Sequence, residues 1–366
     1  MNKPFSDART TFRLNGADVS CVALPGERLS SVLRERLDAR DVKVGCDAGD
    51  CGACTVLVEG KPVCACLTPA HQVAGRRIET QAGLRVQDPL AKALAQSFLD
   101  HGAAQCGICT PGMLVSAVAL LRETSTPSET DVQDALGGVL CRCTGYRKII
   151  DAVIGASDAP AAQGQTAESV GERLRHVDGA PKVSGALPFG DDIAPQGCLE
   201  ILVIRSPFAR AGFEFGDLER YARTMGLEAV LTAADIPGDN AFGVIPNFIH
   251  QPVFAEVETR FRGEAVAAVV GTPEVIAAID PDRFPITWTE KPAAADPSAA
   301  QNGSAAELHL GHARNVMCEG FVTCGAPEDA LKRAHVAVEG RFQSGFVEHA
   351  YIEPEAGFAQ VVDGRL

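Results

Sequence analysis

Eight of the thirteen cysteines fall into two tight groups, and this grouping is the strongest chemical signal in the sequence. The two groups are Cys46, Cys51, Cys54 and Cys66, then Cys106, Cys109, Cys141 and Cys143. Clustered cysteines in a chain without a secretory signal more often bind metal than form disulfides. The other five, which lie apart from this pattern, are expected to be buried small hydrophobes: Cys21, Cys64, Cys198, Cys318 and Cys324.

The first group has the spacing C-x4-C-x2-C with a fourth cysteine further along, which is typical of plant-type 2Fe–2S ferredoxins. Gly45, Gly49 and Gly52 permit the chain to wrap a small cluster, because glycine tolerates positive φ. Such a loop also turns backbone N–H groups toward anionic sulfur. Cys64 and Cys66 both qualify as the fourth ligand, since residues i and i+2 of a strand share a face. Zinc and disulfides are the alternatives, and zinc fits the x4 and x2 gaps poorly.

The second group combines a C-x2-C pair, Cys106 and Cys109, with a C-x-C pair, Cys141 and Cys143. Both pairs fall where helices are expected to begin, and helix N-termini favour thiolates and anionic clusters. A second 2Fe–2S cluster is therefore predicted here, with a zinc site as the alternative. A redox C-x-x-C motif is disfavoured, because the strand of a thioredoxin-like unit is missing before it.

The sequence predicts an α+β multidomain protein in which three regions position these groups. A linker is expected between the second region and the third. Residues 1–84 have the pattern of a small β-rich domain, and residues 85–156 predict four helices in a compact bundle. Residues 157–170 hold almost no large apolar side chain and predict a linker. Residues 171–366 show a mixed α/β pattern.

Local signals support this division. The dipeptide Asn15-Gly16 between two apolar runs predicts a hairpin turn. Pro111 stands where a first-turn proline would open a helix. The segment HVAVEGRFQ, at 335–343, is predicted to form a strand of the last region.

Composition excludes several function classes. The formal net charge is −14, so the basic face of a nucleic-acid binder is missing. No apolar run approaches the length of a membrane span, and the N-terminus has no apolar core of a secretory signal. A cytoplasmic location is predicted.

Three segments carry a resemblance to a known family. GCDAGDCGACTVLVEGKPVCACLTPA, QCGICTPGM and LCRCTGYRKIIDAV resemble the iron–sulfur portion of the molybdenum hydroxylases, the xanthine dehydrogenase and aldehyde oxidoreductase family. The resemblance implies a β-grasp ferredoxin-like domain at 1–84 and a four-helix 2Fe–2S domain at 85–156. The family pattern places the last ligand of the first cluster before the leucine of CLTPA, which favours Cys66 over Cys64.

The resemblance continues after the linker. Segments such as RSPFARA and GFVEHAYIEPEAGF are similar to the first half of the family's molybdopterin-binding subunit. Residues 171–366 are therefore expected to be the N-terminal portion of that domain, fused to the iron–sulfur unit. The family's flavin domain is not recognisable in this sequence, and the linker occupies its place.

The family also implies roles for residues outside the clusters. Gln105 and Cys143 match positions that approach the pterin of the molybdenum cofactor. The catalytic glutamate of the family is expected on a partner chain, so no catalytic residue is assigned here. Glu348, Glu353 and Glu355 match a segment near the metal and are interpreted as structural carboxylates.

Val347 stands where some relatives carry a glutamine near the metal's apical oxygen, and valine cannot donate a hydrogen bond there. This departure suggests a subfamily that hydroxylates N-heterocycles such as purines or nicotinate. The resemblance thus predicts the electron-transfer subunit of a molybdenum hydroxylase. Its two 2Fe–2S clusters would pass electrons from a molybdopterin centre to a flavin or another acceptor.

The predicted partners are a molybdopterin-binding catalytic subunit, an FAD-binding or cytochrome subunit, and a small-molecule substrate. The alternatives are the same relay in an aldehyde-oxidising complex, a stand-alone two-cluster electron carrier, and a zinc-stabilised interaction protein.

Overall fold

A computed structural model describes residues 8–156, 170–171, 174–245, 249–309 and 311–366. The predicted linker at 157–170 lies outside these residues, except for Val170. The chain divides into two units, Met1–Ala194 together with Ser344–Leu366, and Pro195–Gln343.

The first unit contains a five-stranded sheet with the order β2-β1-β5-β3-β4. Its strands are β1 (Ala8–Leu14), β2 (Ala17–Ala23), β3 (Thr55–Val58), β4 (Lys61–Cys64) and β5 (Arg77–Glu79). β1 pairs in parallel with β5, and the other neighbours are antiparallel. The predicted turn joins β1 to β2, with φ of 50° at Asn15 and 84° at Gly16.

A short helix covers this sheet and leads into the first cysteine loop. α1 (Leu29–Ser31) continues as a π-helical turn over Val32–Arg36. Leu29 and Leu33 are fully buried in one apolar cluster with sheet residues such as Val56. Burial of this face fixes the helix on the sheet, and the arrangement confirms the predicted ferredoxin-like domain.

The helical part of the first unit contains five helices among the described residues up to Ala156. They are α2 (Gln81–Gln87), α3 (Pro89–His101), α4 (Thr110–Glu123), α5 (Glu129–Leu136) and α6 (Arg147–Ile154). The last four match the predicted helices, and α2 is an additional short one. A further short helix, α7 (Gly179–Val183), lies later in the same unit.

Sheet and helices of this unit share an apolar interior. Leu57 of β3 is buried in the same cluster as Phe98 of α3, Met113 of α4 and Ile149 of α6. This common packing positions the loop before β3 and the turns before α4 and α6 relative to one another.

The second unit contains two three-stranded sheets, β6-β10-β8 and β11-β7-β9. The strands are β6 (Glu200–Arg205), β7 (Ala211–Phe215), β8 (Ala229–Thr232), β9 (Glu258–Thr259), β10 (Ala265–Gly271) and β11 (Ile286–Glu290). The helices are α8 (Leu218–Met225), α9 (Pro273–Ala277), α10 (Pro297–Gln301) and α11 (Pro327–Arg333). Val266 and Val269 of β10 are fully buried, so this strand lies at the centre of the unit's core.

The predicted strand at 335–343 is wrong for the chain in this structure. These residues pair with no strand in the part of the chain that is described, and Val338 and Phe342 are 92% and 95% exposed. A strand requires a neighbour for its backbone N–H and C=O groups, so an alternating apolar pattern alone does not form one. No helix among the described residues is long and apolar enough to cross a membrane.

Candidate iron–sulfur centres

The loop before β3 carries three cysteines on a backbone that favours glycine at two positions. Gly49 and Gly52 have φ of 85° and 67°, in the left-handed region that favours glycine. A β-carbon at Gly52 would collide with the carbonyl oxygen of Gly138. Gly49 and Gly52, which the sequence singled out, therefore allow the loop to wrap. Gly52 also allows the loop to lie against the turn before Cys141 and Cys143.

Cys46 and Cys51 form the first sulfur pair of this loop. The backbone N–H groups of Ala48 and Cys51 donate to Cys46 Sγ, each at 3.3 Å, and the Cys46 N–H donates to Cys51 Sγ at 3.3 Å. Burial opposes ionisation of Cys46, but these backbone donors outweigh it and lower the pKa of its thiol to about 7. Donors arranged in this way stabilise anionic sulfur.

Cys54 and Cys66 form the second pair. Cys66 lies in a 3-10 turn over Ala65–Leu67, directly after β4, and its N–H donates to Cys54 Sγ at 3.4 Å. Both side chains are almost fully buried, and burial raises the pKa of the Cys54 thiol well above its usual range. The hydrogen bond singles out Cys66 as the partner of Cys54, whereas Cys64 is only half-buried.

The second cysteine group lies at two turns that precede helices. Cys109 is the residue before α4, and Cys106 lies three positions earlier, while Cys141 and Cys143 lie in the turn before α6. The Cys143 thiol donates to Cys106 Sγ at 3.4 Å. Cys109 and Cys141 are hydrogen-bonded through their side chains. The sulfur atoms are again arranged in two pairs.

The pKa values of Cys106, Cys109 and Cys141 are shifted in different directions. The hydrogen bond from Cys109 outweighs burial and, together with Thr144, lowers the pKa of Cys141 to about 5. The same bond and then burial raise the pKa of Cys109. Burial, followed by the contact with Cys143, raises the pKa of Cys106 to about 11. Iron would have to displace the protons of the buried thiols, as metals do on binding cysteine.

Tyr146 organises the turn before α6, which was not expected from the sequence. Its hydroxyl accepts the Cys141 N–H at 2.9 Å and donates to the Val139 carbonyl at 3.2 Å. Tyr146 itself has φ of 65°, so the turn bends back on this residue. The motif CRCTGY contains the tyrosine, but its spacing alone does not indicate where the hydroxyl binds.

The paired arrangement suits a two-iron cluster better than a single zinc ion. A structural zinc site needs four ligands directed at one point. Four cysteines in two pairs, with N–H donors aimed at sulfur, match the donor set of a 2Fe–2S cluster.

A backbone hydrogen bond links the two cysteine groups. The N–H of Leu140, the residue before Cys141, donates to the carbonyl oxygen of Cys51 at 2.8 Å. Both groups belong to the first unit, so this bond joins two parts of one compact unit. A direct hydrogen bond therefore connects a cysteine of the first group to the chain neighbour of a cysteine of the second group.

The residues expected near a pterin lie at the surface of the first unit. Gln105 is exposed, directly before Cys106, and Cys143 is the exposed member of its group. Val347 and Glu348 are also exposed, whereas Glu353 is half-buried. Each of these side chains is thus accessible from outside the unit.

Three known domain families match parts of this chain. Residues 12–80 match the family described as a 2Fe-2S iron-sulfur cluster binding domain, and residues 80–154 match a [2Fe-2S] binding domain. Residues 184–292 match the a/b hammerhead domain of aldehyde oxidase and xanthine dehydrogenase.

Similar whole proteins fall into two sets. The aldehyde oxidoreductase of Megalodesulfovibrio gigas is 32% identical over 96% of this chain, and the chain spans only 41% of the length of that relative. The small FeS subunit of nicotinate dehydrogenase from Eubacterium barkeri is 46% identical over 38% of this chain and 88% of its own length. The iron-sulfur-binding subunit of xanthine dehydrogenase from Escherichia coli O157:H7 is 40% identical over 38% of this chain and 89% of its own length.

Comparison with a solved structure gives a similarity to the same kind of protein. Aldehyde oxidoreductase from Desulfovibrio gigas aligns with a TM-score of 0.81 and 30% identity, over 91% of this chain and 39% of that chain. The chain therefore belongs to the molybdenum hydroxylase family of aldehyde oxidoreductases and xanthine dehydrogenases, and it contains two 2Fe–2S-binding domains.

Proposed function

We propose that this chain is the electron-relay portion of a molybdenum hydroxylase, carrying electrons from a molybdopterin centre to a flavin or another acceptor. The observation that carries the proposal is the presence of two four-cysteine sets in one unit, joined by the bond between Leu140 and Cys51. Clusters bound at these sets would supply one-electron redox chemistry.

The proposed ligands are the paired cysteines of each group. The first cluster would be held by Cys46, Cys51, Cys54 and Cys66, and the second by Cys106, Cys109, Cys141 and Cys143. The backbone N–H groups of Ala48 and Cys66 face sulfur atoms of the first set. Such donors stabilise the more negative, reduced state of a cluster, so they would raise its reduction potential.

The second cluster is the one proposed to face the molybdenum cofactor. Cys143 is exposed while Cys109 is buried, so one side of this set reaches the surface of the unit. Gln105 lies at the same surface, and its amide has the donors and the acceptor that the polar edge of a pterin requires. We therefore assign Gln105 and Cys143 to pterin contact.

The domain boundaries proposed from the sequence accommodate this role. Residues 1–84 and 85–156 would be the two cluster domains, 157–170 a linker, and 171–366 the N-terminal portion of a molybdopterin-binding domain. The match of residues 184–292 to the hammerhead family supports the last assignment. The rest of the molybdopterin-binding subunit, with its catalytic glutamate, and an FAD-binding or cytochrome subunit would complete a cytoplasmic enzyme.

N-heterocycles of the purine or nicotinate type are the proposed substrates. Val347 cannot offer the side-chain amide that some relatives place near the metal, and the nicotinate dehydrogenase subunit is 46% identical to the cluster region. An aldehyde substrate is the second candidate, because similarity to an aldehyde oxidoreductase extends over 96% of the chain. Turnover of nicotinate or a purine by the purified complex, but not of aldehydes, supports the first candidate, and the reverse result excludes it.

Iron analysis and EPR spectroscopy test the relay itself. The anaerobically purified chain is expected to contain iron and acid-labile sulfide and, after reduction, to show two distinct 2Fe–2S signals. A Cys106→Ser variant is expected to lose or alter one signal and retain the other, with Cys21→Ser as a control that changes neither. Zinc in place of iron contradicts the cluster assignment.

Co-purification tests the partner. A complex with a molybdopterin-containing protein supports the relay role. Recovery of the chain from its native source as a functional monomer without such a protein supports the stand-alone carrier instead.

A further inference from the structure

Cys64 lies beside the first cysteine set although it is not one of the four proposed ligands. It ends strand β4, and its Cα pairs with that of Thr55, the residue that follows Cys54. Its Sγ lies 3.9 Å from the carbonyl oxygen of Gly49, in the glycine-rich loop that carries the first pair of cysteines. The side chain therefore points into the loop rather than away from it.

Cys64 and Cys66 differ in how they are held. Cys66 is 3% exposed, and its N–H bond to Cys54 Sγ places it as the ordinary partner of that residue. Cys64 is half-buried and is separated from Cys66 only by Ala65. The Thr68 hydroxyl donates to the Cys64 carbonyl at 3.0 Å and so fixes the backbone at this point. A change of side-chain rotamer at Cys64 requires no change of that backbone.

We propose that Cys64 is a reserve ligand of the first cluster, whose sulfur binds iron when Cys66 cannot. This inference rests on the ligand set proposed above. The exchange would be a ligand substitution without electron transfer: Cys64 would lose its proton to solvent and bind iron as thiolate, while Cys66 would leave as thiolate and take up a proton from solvent. Because Cys64 is half-buried, its sulfur is accessible for this role. Its Sγ also lies near the glycine-rich loop, and therefore near the position of the proposed cluster.

Three variants of the full chain test this proposal: Cys66→Ser, Cys64→Ala, and the double variant carrying both changes. Serine at 66 offers an oxygen ligand, and replacement of sulfur by oxygen changes the visible charge-transfer bands and the EPR g-values of an iron–sulfur cluster. Cys66→Ser is expected to retain full iron content and an all-sulfur spectrum. The double variant is expected to show an oxygen-ligated spectrum or to lose half of the iron.

The second cluster provides an internal control for folding, because its EPR signal is expected to be unchanged in all three variants. Identical spectra and iron content in Cys66→Ser and the double variant would overturn the proposal, and so would loss of the first cluster from Cys66→Ser. Loss of that cluster from Cys64→Ala alone would also overturn it, and would contradict the ligand set as well. Retention of both native signals in Cys64→Ala supports the reserve role.

Discussion

Ile352, near the C-terminus, packs directly on Gly45, the residue before the first cysteine of the ferredoxin-like loop. A β-carbon at Gly45 would lie 2.7 Å from Cγ2 of Ile352 and 2.9 Å from its carbonyl oxygen. Arg142, between Cys141 and Cys143, donates to the carbonyl of nearby His349. One short stretch of chain thus contacts the loops of both cysteine groups.

A Gly45→Ala substitution is expected to disturb this contact. The backbone oxygen of Ile352 cannot rotate away, so the loop or the C-terminal stretch must shift, at a cost of about 1–3 kcal/mol in stability. Thermal unfolding is expected to show this loss, and EPR is expected to show a changed signal for the first cluster. Gly357→Ala is the matched control, because a β-carbon there has no neighbour within 4 Å. Equal stability of the two variants would contradict the packing.

A Leu140→Pro substitution tests the hydrogen bond between the cysteine groups. Proline has no N–H, so the Cys51 carbonyl loses its donor, and an unsatisfied buried acceptor costs about 1–3 kcal/mol. Leu140→Ala keeps the N–H and is the control for loss of the side chain. Denaturant unfolding is expected to place Leu140→Pro below Leu140→Ala in stability. EPR is expected to show weaker magnetic interaction between the clusters only in the proline variant.

A Tyr146→Phe substitution removes one hydroxyl that holds the turn before α6. The Cys141 N–H and the Val139 carbonyl both lose their partner, which is expected to cost about 1–2 kcal/mol. The EPR signal of the second cluster is expected to change while that of the first stays constant. Tyr351→Phe serves as the control, since Tyr351 is 51% exposed. An unchanged second signal in Tyr146→Phe would show that the turn does not depend on this hydroxyl.

The C-x4-C-x2-C, C-x2-C and C-x-C spacings indicate candidate ligand sets because each spacing is a local property of the chain. A loop that wraps a cluster must place its first three sulfur atoms within a few residues, and glycine must stand where φ is positive. The turn at Asn15-Gly16 was predictable for the same reason, since the dipeptide itself favours the geometry. Features encoded in adjacent residues can therefore be predicted from the sequence alone.

Two kinds of contact could not be predicted: contacts between residues far apart in the chain, and contacts made by backbone groups that nearly every residue carries. Every residue except proline carries a backbone N–H, so nothing in the identity of Leu140 indicates that it binds Cys51. The strand expected at 335–343 failed because a strand depends on a neighbour, and its own pattern contains no information about one. A single sequence and its periodicity do not identify which residues will be such partners.

A buried ion-pair network anchors the start of the first cysteine loop and allows a prediction about acid stability. Asp192 accepts from Arg34 at 2.8 Å and from Lys43 at 3.1 Å, and all three side chains are buried. Lys43 also lies 5.0 Å from the ring centroid of Phe189. Asp192→Asn would leave two buried cations without their carboxylate, which is expected to cost about 3–5 kcal/mol at neutral pH. Asp191→Asn, at a 59% exposed neighbour that is 3.4 Å from Arg34, is the control and is expected to cost less than about 1 kcal/mol.

The pH dependence of this loss has a definite sign. Burial would raise the pKa of Asp192, but the Phe189 N–H, Lys43 and Arg34 outweigh burial and hold it below its ordinary value of 3.8. A carboxyl with a depressed pKa binds protons more weakly in the folded state, so its contribution is complete above about pH 4 and is lost as pH falls through the folded pKa. The stability difference between the wild type and Asp192→Asn is therefore expected to be constant near neutrality and to shrink below about pH 4. Urea unfolding at several pH values measures it, and a difference that grows toward acid would contradict the network.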